Sequence, residues 1–343
     1  LNINTTTQVD PAIAQYYDRV LLMRGIPFKV HDRFAQTRSI KQRSGAQIKF
    51  RRYGALANNT TPLVEGVTPS GKIITKTDIT ATLKGYGDYV HYSDLVTLVN
   101  QDPVITEFTE ILGEQAGESI DIVYRDIFVA GSNVYYAGSY ADSTIDTRAE
   151  VNTAPVTMDF KKIRESLRND NARMITQVMA ASTKVGTMPV APGFWCIVHH
   201  ELQNDLEAMS GWLPAHQYPN SKPMYEEEIG ALPDANMRFL ITQNGKTWAD
   251  SGGSTGAGST YRSTSGSSVD VYACLVFARD AVGVCPLDGM SMKSIVKALG
   301  SAGADDPLDQ RGSVGWKAYT TAAILNDLWL TRGEFAATYN PGA

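Results

Sequence analysis

The longest periodic pattern in the chain runs from position 103 to about position 130. Ile105, Phe108, Leu112, Ala116, Ile120, Val123, Ile127 and Ala130 recur every three or four residues, and Glu107, Glu110, Glu114, Glu118 and Asp121 fall between them. This is the period of an amphipathic helix with one buried and one wet face. Asp102 is placed to cap it, and Pro103 takes the first helical position, where a missing amide costs nothing. Such a helix is roughly 40 Å long, well beyond the usual three to four turns. It is a strut, and the rest of the chain must be arranged along it.

A second constraint precedes the strut. Ile48-Lys49-Phe50-Arg51-Arg52-Tyr53 alternates like a strand, as does Ile79-Thr80-Ala81-Thr82-Leu83-Lys84, and between them residues 58–71 are rich in turn formers. Together they predict a hairpin that projects about 26 Å, too far for an isolated ribbon to be stable without a neighbour. Before the hairpin, Ile13, Tyr16, Tyr17, Val20 and Leu21 have helical spacing, and Gly25-Ile26-Pro27 must end that helix. From there to Ser44 apolar residues are too few for a core, which predicts an arm lying on another surface.

After the strut the pattern is mixed. Phe160, Ile163 and Leu167 mark a helix capped by Thr157 or Asp159; Phe194 to Val198 reads as a buried strand leading into a short helix through Leu202, Leu206 and Met209. Residues 251–268, almost all Ser, Gly and Thr, read as a flexible surface loop. Strand-like runs at 269–278 and 318–330 bracket a Gly- and Asp-rich turn region at 300–313. With no internal repeat and no regular β-α-β alternation, the expected class is α+β.

Composition narrows the function by exclusion. Residues 1–53 carry ten basic side chains against three acidic ones, a balance of +7 that leaves −12 for the remainder of a chain whose net charge is −5. A basic segment on an acidic body can bind nucleic acid or lie across the acidic body of another copy. The overall acidity argues against a large nucleic-acid-binding surface. Cys196, Cys274 and Cys285 show neither disulfide nor zinc spacing. No stretch approaches the roughly 18 apolar residues of a membrane span, and the polar opening Leu1 to Thr6 lacks a signal-peptide pattern, so a protein made and used in soluble form is expected.

Three motifs imitate catalytic ones. Gly66-Val67-Thr68-Pro69-Ser70-Gly71-Lys72 fits a phosphate loop, but Ile73 stands where Ser or Thr should hold magnesium, and β-branched residues follow instead of a helix. Gly252-Gly253-Ser254-Thr255-Gly256 fits a hydrolase elbow but sits in low-complexity sequence. His199-His200-Glu201 begins like a zinc-protease motif, yet Asn204 occupies the second ligand position. The run Glu226-Glu227-Glu228 reads as a solvated loop. The expectation is therefore no catalytic residue, no cofactor and no metal. Two rivals are an enzyme that binds nucleotide through Gly66–Lys72 and a DNA-binding protein that uses the basic N-terminal segment.

The hairpin sequence, with Pro62-Leu63-Val64-Glu65-Gly66-Val67-Thr68-Pro69 between its strands, the helix segment Leu112-Gly113-Glu114-Gln115-Ala116, and Gln310-Arg311-Gly312-Ser313-Val314-Gly315-Trp316-Lys317 with Ile324-Leu325-Asn326-Asp327 together resemble the tailed-phage major capsid proteins, in particular the podovirus type. The resemblance covers about 45–130 and 305–330. It implies the capsid shell fold: an N-terminal arm (1–46), an extended loop (47–92), a peripheral domain with a spine helix at 103–130 (93–150 and 286–343, the latter as return strands), and an axial domain (151–285). It also implies an icosahedral virion shell, assembled in the bacterial cytoplasm from hexamers and pentamers of the chain around non-specifically held double-stranded DNA. Portal and scaffold or decoration proteins are the implied helpers, and no membrane is involved. On this reading Leu63, Val64, Glu65 and Val67 drape over an adjacent copy, and Arg38, Arg43, Arg51 and Arg52 meet carboxylates such as Glu107, Glu110 and Glu114.

Overall fold

The computed structural model describes residues 29–99, 104–175, 192–218, 223, 225–254, 260–301 and 306–338. The expected helix around 13–21 and the Asp102–Pro103 cap lie outside them. In chain order the elements begin with β1 (Gln36–Thr37), β2 (Gln47–Tyr53), β3 (Lys76–Thr82), β4 (Lys84–Ser93), α1 (Asp94–Val99) and α2 (Val104–Val129). They continue with β5 (Val134–Tyr136), α3 (Thr157–Asn169), β6 (Phe194–His199), α4 (Gln203–Glu207), β7 (Leu213–Pro214), β8 (Glu228–Leu232) and β9 (Met237–Thr242). The last are β10 (Thr247–Trp248), β11 (Val271–Phe277), β12 (Val282–Pro286), β13 (Lys293–Lys297), β14 (Arg311–Ile324) and β15 (Leu330–Ala336). The class is α+β, and among the described residues no helix is long and apolar enough to cross a membrane.

The strut is α2, and its buried edge is a ladder of every fourth residue: Leu112, Ala116, Ile120, Tyr124 and Phe128 are all buried. Residues four apart lie one above another on a helix, so this ladder is a continuous seam. It packs on β14 and β4. These belong to a five-stranded sheet in which β4 runs along one edge of β14 while β13 and β12 share the other, and β1 extends β12 in parallel. Ile105, Phe108, Val123 and Ile127 flank the seam half-buried. Asp121, expected on the wet face, is instead buried, because the segment 29–34 crosses the helix there. Asp121 Oδ1 accepts from the amides of Val30 and His31, both at 2.9 Å, and its Oδ2 lies 2.8 Å from His31 Nδ1.

That crossing also shows what the described part of the arm lies on. Val30, His31, Phe34 and Ile40 are buried against the same chain. The Phe34 ring stacks on Trp195 at 5.1 Å, and Arg33 forms a two-pronged pair with Glu227 at 2.6 and 2.8 Å. Segment 29–40 is thus a strap joining the strut, the five-stranded sheet and the larger sheet.

The larger sheet has eight strands in the order β5-β15-β11-β6-β9-β8-β7, with β10 also on β11. Strands β6 and β11 are buried along their whole length, hence their unbroken apolar sequences. Helix α3 covers one face with Phe160, Ile163 and Leu167, and Phe160 meets Phe335 and Phe239 at 5.4 and 5.0 Å. Its cap is Val156, not Thr157 or Asp159. The Asp159 carboxylate instead accepts the Val156 amide at 3.1 Å, together with Gly138 N and the Tyr135 hydroxyl.

Two boundaries differ from those expected. The run read as one strand over 318–330 is two, β14 and β15, separated by a 3-10 turn at Asp327–Trp329. Strand β15, expected among the peripheral return strands, lies between β5 and β11 in the eight-stranded sheet. The described parts of the Gly/Ser stretch, 251–254 and 260–268, are also less free than their composition predicts. Gly252 and Gly253 exchange backbone bonds with Val269 and Val151, and the Asp270 carboxylate accepts from the amides of Asp250 and Thr264.

Candidate intersubunit surface

Strands β2 and β3 pair from Gln47↔Thr82 to Tyr53↔Lys76 and form a two-stranded sheet of their own. Ile48 and Phe50 turn half-buried toward the body, while Lys49, Arg51 and Arg52 are exposed. Arg51 pairs across the ribbon with Asp78 at 3.3 Å, and Lys76 reaches the same carboxylate at 3.0 Å. The Lys76 hydrogen bond, with help from Arg51, holds Asp78 below the usual carboxylate range. The loop that closes the ribbon, residues 54–75, is held by few bonds: Gly54 N to Thr75 O at 2.9 Å, Val67 N to Val64 O at 3.2 Å, Lys72 Nζ to Ala57 O at 2.6 Å, and Thr61 N to Asn59 Oδ1 at 3.4 Å. Gly66, at φ +79°, takes a left-handed turn that a side chain would strain.

The loop exposes several large apolar side chains. Leu63 is 74% exposed, Val64 68%, Val67 63% and Ile73 89%. Single exposed apolar residues are ordinary, but several on one loop at the end of a two-stranded ribbon point to an interaction surface. Sequence reasoning missed a second set on α1, where Leu95 and Leu98 are exposed directly after β4. The short apolar run Leu95-Val96 was the available signal, but six residues are too few for a period to show.

The remaining candidates fall on separate parts of the subunit. Arg38 sits at the root of the ribbon, beside Phe50, Arg52, Leu325 and Trp329 in a groove of about 600 Å³. Arg43 is exposed in a left-handed turn at φ +62°. Glu65 is exposed at the loop tip, beside Val64. On α2, Glu107 is exposed, and Glu110 and Glu114 are half-buried one and two turns further on.

Two of the motifs that imitate catalytic ones do not acquire catalytic geometry, and the third, Gly252–Gly256, runs into residues outside the described ones. Gly66–Lys72 lies in the exposed loop, Lys72 bonds a backbone carbonyl, and the chain runs on into β3, so no helix end faces a phosphate. His199 is buried at the end of β6 with Nδ1 accepting the Glu201 amide at 3.3 Å. Among the described residues no three His, Cys, Asp or Glu side chains group to hold a metal. The described part of the basic segment spends some of its charge internally, in Lys29–Asp32, Arg33–Glu227 and Arg51–Asp78, which does not support the DNA-binding rival.

The sequence matches the model of the phage capsid protein family over residues 76–333. No curated protein matches it. Among solved structures, the capsid of Ralstonia phage GP4 superposes with a TM-score of 0.64 at 11% identity, covering 92% of this chain and 90% of that one. The head structure of Helicobacter pylori bacteriophage KHP40 gives 0.60 at 13%, with 90% and 88% covered. The capsid asymmetric unit of cyanophage Pam1 gives 0.57 at 14%, with 92% and 93% covered. At these identities the likeness is one of fold.

Proposed function

The chain belongs to the phage capsid protein family, and from that premise we propose that, as a major capsid protein, it closes an icosahedral phage head by laying its extended ribbon on an adjacent copy. The observation that carries this reading is the ribbon itself, Gln47–Thr82, whose loop leaves Leu63, Val64, Val67 and Ile73 in water when the subunit is alone. Burying such side chains stabilises a contact by about 1.5–3 kcal/mol each before ordering is subtracted. A closed shell needs no more from each contact, because every subunit makes several at once.

On this reading Arg38, Arg43, Arg51 and Arg52 present a positive root and Glu107, Glu110 and Glu114 a negative helix face, which orient neighbouring copies more than they add affinity. Hexamers and pentamers are the building blocks, and a portal and scaffold or decoration proteins act as helpers. Packaged double-stranded DNA is held without sequence preference. Assembly takes place in the host cytoplasm and the mature location is the virion. The subunit has no catalytic task.

Negative-stain microscopy with sedimentation tests the proposal on the full chain and on a chain lacking residues 60–70. Closed particles from the first and folded, unassembled subunits from the second are expected. Normal particles from the deletion would remove the ribbon from the assembly contact.

A further inference from the structure

Asn244-Gly245 is the single Asn-Gly step in the sequence. It lies half-buried in the turn 243–246 between β9 and β10. The turn is anchored on either side of the step: the Asn244 amide donates to Thr242 Oγ1 at 3.1 Å, and the Lys246 carbonyl accepts the Ala273 amide at 2.9 Å. Glycine is required at 245, since a Cβ there would stand 2.8 Å from His199 Cβ at the end of β6. The same packing leaves the 245 nitrogen with no side chain to shield it.

The peptide group between the two residues is held through its oxygen. Arg125, on α2, donates Nη1 to the Asn244 carbonyl at 2.9 Å, while its Nε and Nη2 hold Asp126 Oδ1 at 3.0 and 2.8 Å. Among the described residues neither the Gly245 N–H nor the Asn244 carboxamide forms a hydrogen bond. Asn244 borders an open cavity of about 490 Å³ with His200 and Gln203, which gives water access to the step.

A guanidinium bonded to a peptide oxygen favours the form of that peptide that has lost its N–H proton, because the charge then sits largely on the oxygen. That form is the nucleophile by which an Asn-Gly step closes on itself. We propose that Asn244-Gly245 is a self-modification site, converted by water alone into an isoaspartyl linkage, and that Arg125 promotes the conversion. The Gly245 nitrogen attacks Asn244 Cγ; the N–Cγ bond forms, the Cγ–Nδ2 bond breaks, and ammonia leaves with the proton the nitrogen gave up. Water then adds to the main-chain carbonyl carbon of residue 244 and breaks its bond to the Gly245 nitrogen. The chain now runs through Cγ, and the former carbonyl is a free carboxylate. Arg125 polarises the carbonyl at which water adds and ends paired with the carboxylate so created, which favours isoaspartate over aspartate. Each conversion adds a negative charge to the subunit and lengthens the main chain of the turn.

The test ages the full chain, folded in buffer or unfolded in guanidinium chloride, at the same pH and temperature. The tryptic peptide 239–246 is then followed by mass spectrometry for the change from amide to acid, and by methyl transfer from an isoaspartyl methyltransferase. Conversion is expected to be faster in the folded chain than in the unfolded one, with a larger isoaspartyl share. Arg125→Gln, shown by thermal melt to fold, should convert about tenfold more slowly than the unaltered folded chain, as the loss of one charged hydrogen bond implies. An Asn244 that persists in the folded chain while it converts in the unfolded one overturns the proposal, whether or not the variant folds. Equal folded rates with and without Arg125 overturn it as well.

Discussion

At the scale of single residues, burial is the largest influence on the groups that composition makes conspicuous. His199 opens what reads as a ligand motif, yet it packs 5.2 Å from Tyr272 and 4.3 Å from His200, ring to ring. Burial, reinforced by the His200 charge, pushes its pKa down from 6.5 to about 4. An unfolded chain takes up a proton as pH falls through the ordinary value, and the native chain refuses it until the lower one. Stability is therefore lost as pH falls from 6.5 toward about 4. Replacing His199 by Gln should reduce the fall in urea midpoint between about pH 7 and about pH 5. An unchanged fall would show that other groups carry the acid sensitivity. Asp159 has the opposite sign. Burial raises its pKa despite three donors, so its contribution is greatest at low pH and declines as pH rises through the raised value.

At the scale of elements, the strut and the ribbon were legible because each has a period. Over the described residues helix α2 runs Val104–Val129, inside the stretch 103–130 read from the sequence, and the ribbon strands differ from theirs by a few residues. The strap was not legible. Its apolar residues Val30, Phe34 and Ile40 are too few and too irregular to form a pattern, and its anchor is one distant carboxylate, Asp121, which takes contacts from both Val30 and His31. That anchor makes a prediction. Asp121→Ala would leave two buried amides and the His31 ring without their acceptor, a loss of about 3–5 kcal/mol that urea denaturation would read. Trypsin should also cut sooner at Arg33, which the strap holds against Glu227. Wild-type stability in this variant would mean that Phe34 and Arg33 hold the strap without Asp121.

At the scale of the whole molecule, charge is distributed so that one subunit leaves work for the next. The basic root of the ribbon and Glu107 on α2 are exposed, Glu110 and Glu114 are half-buried, and exposed pairs weaken as salt rises. Particle yield should therefore fall between about 0.1 M and about 1 M sodium chloride while the melting temperature of the subunit changes little. Salt-independent assembly would assign the contacts to the apolar loop alone. By itself the sequence determined the local conformations and the residues that must find cover: the helical period of 105–127, the alternation of 48–53 and 79–84, and the apolar loop too long to stand unpartnered. Only the tertiary structure decided that Asp121 is buried, that β15 joins the larger sheet, and that Lys293 stands opposite Lys317 on paired strands. The reason is physical. A periodic pattern reports that a segment has a face to bury, whereas any strand's backbone can pair with any other, so the partner is chosen only when all the faces are packed at once.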